Sequence, residues 1–253
     1  MKLNGKVGIV TGASRGMGRH FITALVAAGA RVGCLARESD DLEALGVEFG
    51  NAVLLLPGSV SDPTAVTAHI AAVVARFGRL DFFVNNAAIF HPFRLEDATD
   101  KQVEDHVAIN LLGPAWCMRA AIPHLRRTKG HLVSISSESV RMPYPFLSVY
   151  AASKAGLETL TAAMREELRE DGIRVTTLRS GAVAGGTGGR DWDPAVRDDF
   201  FATITRTGHS AFAGTPADPA SMARALVDLL ALPADINVDL VEIRAAAPGH
   251  PAM

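Results

Sequence analysis

Residues 7–18 read VGIVTGASRGMG, so that a short apolar run passes directly into a turn that holds three glycines. The glycines are Gly12, Gly16 and Gly18, and a segment with helical spacing follows them. Turns of this kind after the first strand of an open α/β sheet bind the phosphates of a dinucleotide. Glycine lets the backbone approach the phosphates, and the helix N-terminus offers N–H groups that have no partner inside the helix. The stretch therefore predicts a Rossmann-like fold with a nucleotide site at its first turn.

The same alternation of apolar runs and helical segments continues along the chain. Further short apolar runs lie at Arg31–Leu35, Val53–Leu56, Leu80–Val84, His131–Ile135, Arg174–Leu178 and Val238–Ile243. Runs that are apolar throughout are typical of strands buried on both faces of a parallel sheet. Helical spacing is found in the segments Arg19–Ala28, Thr64–Phe77, Lys101–Leu125, Val149–Arg169 and Ala220–Leu230. The pattern predicts a single α/β domain over residues 1–253, a doubly wound parallel sheet of about seven strands with helices on both faces.

One long segment, residues 182–214, interrupts this alternation. It contains two glycine pairs and the large aromatic residues Trp192, Phe200 and Phe201, which need a surface to bury against. A long insertion after a strand of such a fold often covers a bound ligand. We expect this segment to be a substrate lid, with a surface loop of no particular role as the alternative.

The composition argues against several classes of function. The chain has 253 residues, of which 48% are hydrophobic, and a formal net charge of −2. This balance provides no strongly basic surface, so we expect neither a nucleic-acid nor a membrane partner. The N-terminus lacks the basic-then-apolar order of a signal peptide, and we expect a cytoplasmic protein. Cys34 and Cys117 lie in apolar runs and are predicted to be buried thiols, and the eight histidines show no metal-binding spacing.

Four motifs, in chain order, resemble the signatures of the short-chain dehydrogenase/reductase family. Residues 11–18 are similar to its T-G-x-x-x-G-x-G turn, and residues 85–88, which read NNAA, to its N-N-A-G. Ser136-Ser137 ends the fifth apolar run, and residues 150–154, which read YAASK, match its Y-x-x-x-K. A single Y-x-x-x-K motif is weak evidence for a resemblance to this family, whereas four motifs in the family's order are strong evidence. The resemblance covers most of the chain and implies an oxidoreductase that interconverts an aldehyde or ketone and an alcohol by hydride transfer.

The resemblance also implies the catalytic residues Asn110, Ser137, Tyr150 and Lys154. In the family, the Tyr transfers a proton to or from the substrate oxygen, the Ser orients the carbonyl, the Lys also holds the nicotinamide ribose, and the Asn positions a water. Tyr150 and Lys154 are four residues apart on a predicted helix and therefore share a face. A phenol titrates at a pKa of about 10, and a nearby cation favours the phenolate, so we expect Lys154 to lower the pKa of Tyr150.

The end of the second apolar run bears on the choice of cofactor. It reads Leu35-Ala36-Arg37-Glu38, whereas NAD enzymes usually place an acid here to bind the adenosine 2′-hydroxyl. Arg37 and Arg15 suit a 2′-phosphate, so we expect NADP(H), and Glu38 is the feature that argues for NAD. The expected cofactor-binding residues are Gly12, Ser14, Arg15, Gly16, Met17, Gly18, Arg37, Ser59, Val60, Asn86, Ala87, Tyr150, Lys154, Ser180, Gly181 and Val183.

The chain departs from the family pattern on the nicotinamide side of the expected site. Ala88 replaces the last glycine of N-N-A-G, and Ser180-Gly181 stands where the family often has Pro-Gly. The family's Thr that contacts the nicotinamide amide is Gly185 here, and Thr187 is the candidate to replace it. These departures leave the four catalytic residues in place, so they bear on the geometry around the nicotinamide and not on the reaction class.

The expected pocket wall consists of residues 141–147, His91, Phe93 and the lid segment. Most of the side chains in this wall are apolar, which favours a moderately hydrophobic carbonyl compound or secondary alcohol as the substrate. An alternative is that Arg141 or His91 binds an acidic group of the substrate.

Other functions and an assembly also follow from the resemblance. A dehydratase or epimerase with bound NADP is one alternative, although such relatives are usually longer. A non-catalytic NADP-binding sensor is another, although a sensor does not need the proton donor that Tyr150 provides. The family usually forms homodimers or homotetramers through its two long helices, which are expected here near Lys101–Leu125 and Val149–Arg169.

Overall fold

The computed structural model describes residues 1–185 and 192–246. Within these residues, seven parallel strands form one sheet in the order β3-β2-β1-β4-β5-β6-β7. The strands are β1 Val7–Thr11, β2 Arg31–Ala36, β3 Val53–Pro57, β4 Phe82–Asn85, β5 His131–Ser137, β6 Arg174–Ser180 and β7 Leu240–Ile243. Strand order reverses between β1 and β4, and this switch point is where open α/β sheets bind their ligands. The predicted doubly wound parallel sheet is confirmed.

Helices cover both faces of the sheet. In the described part of the chain they are α1 Gly16–Ala27, α2 Asp40–Phe49, α3 Pro63–Phe77, α4 Asp100–Val107, α5 Gly113–Thr128, α6 Ser148–Glu167, α7 Pro194–Arg206, α8 His209–Ala213 and α9 Pro219–Leu230. One face carries α1 and α9, which pack on the strands through residues such as Phe21 and Leu226. The other carries α3, α5 and α6, which pack through residues such as Ile70 and Leu157. Alternate side chains of each strand enter the two cores, as the pleat of a strand requires.

Aspartates begin several helices, and two of these starts are visible in the sequence. Asp62 accepts hydrogen bonds from the backbone of Thr64 and Ala65 ahead of α3, and Asp218 does the same at the start of α9. In both helices a proline follows the aspartate, where its missing N–H costs nothing. At the other end of α3, Gly78 adopts the left-handed conformation with φ of 83°, which ends the helix.

The helical segment predicted over Lys101–Leu125 is confirmed, but it is not a regular α-helix throughout. Helix α4 ends at Val107, a π-helical turn spans Ala108–Leu112, and α5 begins at Gly113. Pro114 has no N–H, so it cannot donate to the carbonyl four residues earlier, and the Gly113 N–H bonds instead to the carbonyl of Ala108. The extra residue in this turn changes the direction of the side chains there, Asn110 among them.

Two further features concern what the described residues do not contain. No helix in residues 1–185 and 192–246 is long and apolar enough to cross a membrane. In the same residues no group of His, Cys, Asp and Glu side chains could hold a metal ion. Cys34 and Cys117 are both buried free thiols, as predicted.

Candidate active site

The glycine-rich turn between β1 and α1 has a backbone that other residues would not adopt easily. Gly12 and Gly16 have φ of 65° and 54°, in the left-handed region that favours glycine. A Cβ at Gly18 would lie 1.9 Å from the carbonyl oxygen of Gly12, so the turn closes on itself only with glycine there. Arg15 precedes α1 without a side-chain cap, and the first turn of this helix contains no acidic residue. The start of α1 therefore keeps the positive end of its dipole for an anion.

The end of β4 holds this turn in place. The Thr11 hydroxyl accepts hydrogen bonds from the backbone N–H groups of Asn86 (3.0 Å) and Ala87 (2.9 Å). The side-chain amide of Asn86 donates in return to the carbonyl of Thr11 at 2.8 Å. A Cβ at Gly12 would lie 2.9 Å from the Cα of Ala87, so the two segments are in close contact. The N-N-A segment thus fixes the position of the glycine-rich turn in this chain.

A cavity of about 940 Å³ opens at the carboxyl ends of the strands, over this turn. Every residue predicted to bind the cofactor lines it: Gly12, Ser14, Arg15, Gly16, Met17, Gly18, Arg37, Ser59, Val60, Asn86, Ala87, Tyr150, Lys154, Ser180, Gly181 and Val183. Ala36 is buried at the end of β2, while Arg37, Glu38 and Asp41 form part of the cavity wall. The cavity reaches from Arg37 to Tyr150, and its volume and the glycine-rich turn fit a dinucleotide.

Tyr150 and Lys154 lie on α6, one turn apart, and both face the cavity. The Lys154 ammonium is buried, donates to the carbonyl of Ile135 at 2.8 Å and lies 5.9 Å from the centre of the Tyr150 ring. Burial lowers the pKa of Lys154 to about 8, and Glu158, one turn further along α6, opposes this change. Ser137, at the end of β5, lines the same wall and accepts a hydrogen bond from the N–H of Ser139.

The pKa of Tyr150 moves in the direction opposite to the one expected. Burial of the phenol raises its pKa, hydrogen bonding with Ser137 lowers it, and the carboxylate of Glu138 raises it. The expectation that Lys154 would lower this pKa is therefore wrong for the described residues. The cause is desolvation, which disfavours the phenolate, together with the bond that directs the Lys154 ammonium to Ile135.

Asn110 lies behind the cavity wall and is not part of its lining. Its side chain is fully buried, accepts from the N–H of Ile89 at 2.9 Å and donates to the carbonyl of Ile89 at 2.9 Å. It also donates to the Ser153 hydroxyl, which in turn donates to the carbonyl of Tyr150. Asn110 thus connects the loop after β4 with the first turn of α6, where Tyr150 lies.

Comparison with known proteins assigns the family. The family model for short chain dehydrogenase matches residues 6–193. The chain belongs to the short-chain dehydrogenase family. This is an oxidoreductase family whose members bind a nicotinamide cofactor and act on small molecules.

Three relatives of this short-chain dehydrogenase are informative. It is 37% identical over 185 residues to 11-beta-hydroxysteroid dehydrogenase-like 3 of Arabidopsis thaliana. The matched residues make up 71% of this chain and 59% of the relative. The chain therefore spans less than two thirds of the length of that relative. A metagenomic short-chain oxidoreductase in complex with NADP matches with a TM-score of 0.79 and 27% identity, over 98% of this chain and 100% of that one. A 3-ketoacyl-(acyl-carrier-protein) reductase of Brucella melitensis complexed with NADH matches with a TM-score of 0.81 and 26% identity, over 96% and 98%.

The substrate side of this short-chain dehydrogenase is more aromatic than the sequence analysis anticipated. Phe90 lies 5.6 Å from Tyr150 and 5.2 Å from Trp192, measured between ring centres. Trp192 packs in turn on Phe200 of α7, and both are buried. Tyr144 and Leu147 complete the described wall next to Tyr150, while Thr187 lies outside the described residues.

Other parts of the expected pocket wall lie elsewhere. Arg141 is paired with Glu242 of β7, with 2.8 Å between Nη1 and Oε1, and does not line the cavity. His91 and Phe93 line a second cavity of about 490 Å³, behind Phe146 and Trp192. The loops after β4 and β5 turn these side chains away from Tyr150, a direction that chain position alone does not reveal.

Sequence reasoning also missed two residues of the site. Thr11 was visible only as a letter of the glycine-rich motif, and its hydroxyl proves to join the turn to β4. Glu138 directly follows Ser137 and is a buried carboxylate in the cavity wall. No pattern in the chain marks Glu138 as buried, because its charged partner, Arg244, is distant in sequence.

Proposed function

We propose that this short-chain dehydrogenase is an NADP(H)-dependent oxidoreductase that interconverts a carbonyl compound and an alcohol, with Tyr150 as the general acid/base. The observation that carries the proposal is the position of Ser137, Tyr150 and Lys154 on one wall of a cavity whose floor is the glycine-rich turn. When bound, the nicotinamide cofactor supplies or accepts the hydride. Residues of the cavity wall orient the substrate oxygen and exchange a proton with it.

In the reductive direction, Tyr150 donates its phenolic proton to the oxygen of the substrate carbonyl. Its raised pKa keeps the phenol protonated near neutral pH, so the proton is present on Tyr150 for carbonyl reduction. Ser137 donates a hydrogen bond to the same oxygen and orients the carbonyl. Lys154, whose ammonium is buried beside Tyr150, holds the nicotinamide ribose. Asn110 supports this arrangement through Ser153 and the backbone of Tyr150.

The preference for NADP(H) rests on the adenosine end of the cavity. Arg15 and Arg37 both line it, and Ala36 stands where an acid would bind a 2′-hydroxyl. The NADP in the metagenomic relative supports this choice, whereas the Brucella reductase has NADH. Glu38 and Asp41 also lie in this wall, and their charges set the limit on how strongly a 2′-phosphate is preferred.

The proposed substrate is a moderately hydrophobic carbonyl compound or secondary alcohol. The wall next to Tyr150 consists of Phe90, Trp192 and Phe200 with Leu147, which favours an apolar substituent on the carbonyl carbon. We infer that residues 182–214, of which 186–191 lie outside the described residues, act as the substrate lid. Trp192 and Phe200 bury their rings against the wall that holds Tyr150 and not against the main core. Homodimers or homotetramers through the helices near Lys101–Leu125 and Val149–Arg169 stay a prediction, which analytical ultracentrifugation tests. A cytoplasmic location also stays a prediction, which cell fractionation tests.

The decisive experiment follows the absorbance of NADPH with a panel of aldehydes and ketones, for the wild type and for Tyr150→Phe. We expect turnover by the wild type and a loss of kcat of about a hundredfold or more in the variant, because general acid catalysis is removed. NADPH binding, followed by its fluorescence, should persist in Tyr150→Phe. Tight NADPH binding without turnover of any carbonyl or alcohol would favour the sensor function, and isomerisation or dehydration without net NADPH consumption would favour the epimerase or dehydratase.

A further inference from the structure

Arg94, in the loop after β4, makes two contacts through one guanidinium. Its Nη2 donates a hydrogen bond to Oδ2 of Asp199 on α7 at 2.8 Å. Its Cζ lies 4.6 Å from the centre of the ring of Phe146, in the loop before α6. A planar guanidinium binds a carboxylate at its edge and stacks on an aromatic ring with its face. Arg94 therefore connects three segments that are far apart in the chain.

The backbone of Phe146 is held in a conformation that phenylalanine seldom adopts. Its φ of 67° lies in the left-handed region, which among the described non-glycine residues only Lys129 shares. Its carbonyl accepts a hydrogen bond from the N–H of Phe93 at 3.0 Å, and Leu147, the next residue, lines the active-site cavity. A strained residue persists only where the surrounding contacts determine its position, and such residues concentrate at functional sites. The contacts of Phe146, that with Arg94 among them, thus fix part of the substrate wall.

A series of ring contacts runs from Phe146 to Tyr150. The Phe146 ring lies 6.3 Å from that of Phe200 on α7, which lies 5.4 Å from Trp192, measured between ring centres. Trp192 lies 5.2 Å from Phe90, and Phe90 lies 5.6 Å from Tyr150. The position of α7 therefore determines the surface that a substrate meets beside Tyr150.

Arg94 itself lies outside the cavity that holds the catalytic wall. Together with Phe146 and Asp199 it lines the second cavity, of about 490 Å³, and Trp192 lines both cavities. The guanidinium can therefore act on a substrate only through the aromatic residues that it holds in place.

We propose that Arg94 is a positioning residue that holds α7 against the loop before α6 and so keeps the aromatic side of the substrate wall in place. It thereby favours substrates with a large apolar substituent, which need this wall, over small ones, which do not. The inference rests on the proposed function, because it takes this wall to be the substrate wall. The side chains of Arg94 and Asp199 are 50% and 48% exposed, so their ion pair is weak by itself, and the stacked Phe146 ring adds to it.

The kinetic test compares a bulky aryl ketone with a small aldehyde in Arg94→Ala. We expect the KM for the ketone to rise by about fivefold or more, while the KM for the aldehyde and the kcat for both change by less than about twofold. Arg197→Ala is the matched control, because Arg197 is an arginine of the same helix that is paired with its neighbour Asp198. This control should keep the KM values of the wild type.

A second measurement follows Trp192 directly and needs no turnover. The chain has two tryptophans, Trp116 and Trp192, so a Trp116→Phe background leaves Trp192 as the single reporter. Trp192 is 9% exposed, so acrylamide should quench its fluorescence weakly. We expect the quenching constant to rise by about twofold or more when Arg94→Ala is added, because α7 then opens more often. Arg197→Ala should leave the constant at its background value.

Charge reversal separates the ion pair from a general loss of structure. Arg94→Asp and Asp199→Arg should each raise the quenching constant, and the double variant should recover about half of the change or more. A double variant no better than the worse single variant would overturn the inference. So would an equal rise in KM for the small and the bulky carbonyl, or quenching in Arg94→Ala that equals the background. If the wild type reduces no carbonyl, the proposed function fails, while the quenching series still decides whether Arg94 holds α7.

Discussion

Single residues in this short-chain dehydrogenase join segments that are far apart in the chain. Thr11 is the clearest example, because one buried hydroxyl accepts from two backbone N–H groups after β4 and lies 3.4 Å from the carbonyl of Val84. If the Thr11 hydroxyl were removed, the two N–H groups would lose their acceptor at a buried site, and this loss would cost free energy. The position of the phosphate-binding turn relative to β4 thus depends on one side chain.

Replacing Thr11 with Val, which has the same shape, leaves the N–H groups of Asn86 and Ala87 without their acceptor. We expect the free energy of unfolding to fall by about 2 kcal/mol and the Kd for NADPH to rise. Thr11→Ser keeps the hydroxyl and is the matched control. Denaturant unfolding and fluorescence titration measure the two effects. Unchanged stability and NADPH affinity in Thr11→Val would contradict a role for the hydroxyl.

The proposed preference for NADPH over NADH can be tested at one side chain, Arg37. Arg37→Asp places a carboxylate against a 2′-phosphate, so the KM for NADPH should rise by about tenfold or more while that for NADH changes little. Arg37→Lys keeps the charge and should retain most of the preference. Steady-state kinetics with both cofactors measure this. The same change in KM for NADPH and NADH would contradict the assignment of a 2′-phosphate site.

At the level of whole elements, the break between α4 and α5 positions Asn110. The π-helical turn Ala108–Leu112 adds one residue to a helix that would otherwise run on. This turn allows Asn110 to bond to both backbone groups of Ile89 and to the hydroxyl of Ser153. A regular helix would rotate that side chain by about a hundred degrees, away from α6.

Trp192 ties α7 to the catalytic wall, so its removal tests the lid. We expect Trp192→Ala to reduce kcat/KM by about tenfold or more for a bulky aryl ketone, and far less for a small aldehyde that does not reach this wall. Trp192→Phe keeps an aromatic ring against Phe90 and Phe200 and should lose much less. Steady-state kinetics over carbonyls of increasing apolar size provide the measurement. A uniform loss for small and large carbonyls would contradict a role in substrate recognition.

At the scale of the whole molecule, acid stability depends on buried histidines. His131, at the start of β5, is 2% exposed, shares a hydrogen bond with Thr176, and its Nδ1 has no partner among the described residues. Burial, helped by the charge of Arg174, lowers the pKa of His131 to about 3. Burial also lowers the pKa of His106 and of His124.

The sign of the pH effect follows from where the proton binds. Below a pKa of about 6.5 the unfolded chain takes up a proton at His131, whereas the folded chain takes it up only near a pKa of about 3. Stability from this residue is therefore complete above about pH 6.5 and is lost as the pH falls from there towards about 3. The loss between about pH 7 and about pH 5 is about 2 kcal/mol.

Denaturant unfolding at several pH values should therefore show a smaller acid loss for His131→Gln than for the wild type, by about 2 kcal/mol at about pH 5. His20, on the first helix, provides the control, because His20→Gln leaves His131 unchanged. The glutamine at position 131 is expected to lower stability near neutral pH, so the comparison concerns the pH dependence and not the absolute value. Parallel pH profiles for the wild type and His131→Gln would show that His131 does not contribute.

The local pattern of the sequence was sufficient to predict the architecture of the sheet and its helices. The seven apolar runs predicted the seven strands to within a few residues, because a strand buried on both faces must be apolar throughout. The glycine-rich turn predicted the nucleotide site, because its backbone excludes side chains at Gly12 and Gly18. The Y-x-x-x-K spacing predicted that Tyr150 and Lys154 share a face, because it equals about one helical turn. These features are local, and local sterics and periodicity control them.

Long-range contacts decided the rest. The pKa of Tyr150, the burial of Glu138 and the pairing of Arg141 with Glu242 depend on which segments meet at the ends of β5, β6 and β7. The break at Ala108–Leu112 and the aromatic wall from Phe90 to Phe200 depend in the same way on packing between elements. Desolvation and charge pairing act through space, so residues a hundred positions apart determine them together. The chain's pattern indicates which residues are candidates for the chemistry, and only the folded arrangement sets their electrostatic environment.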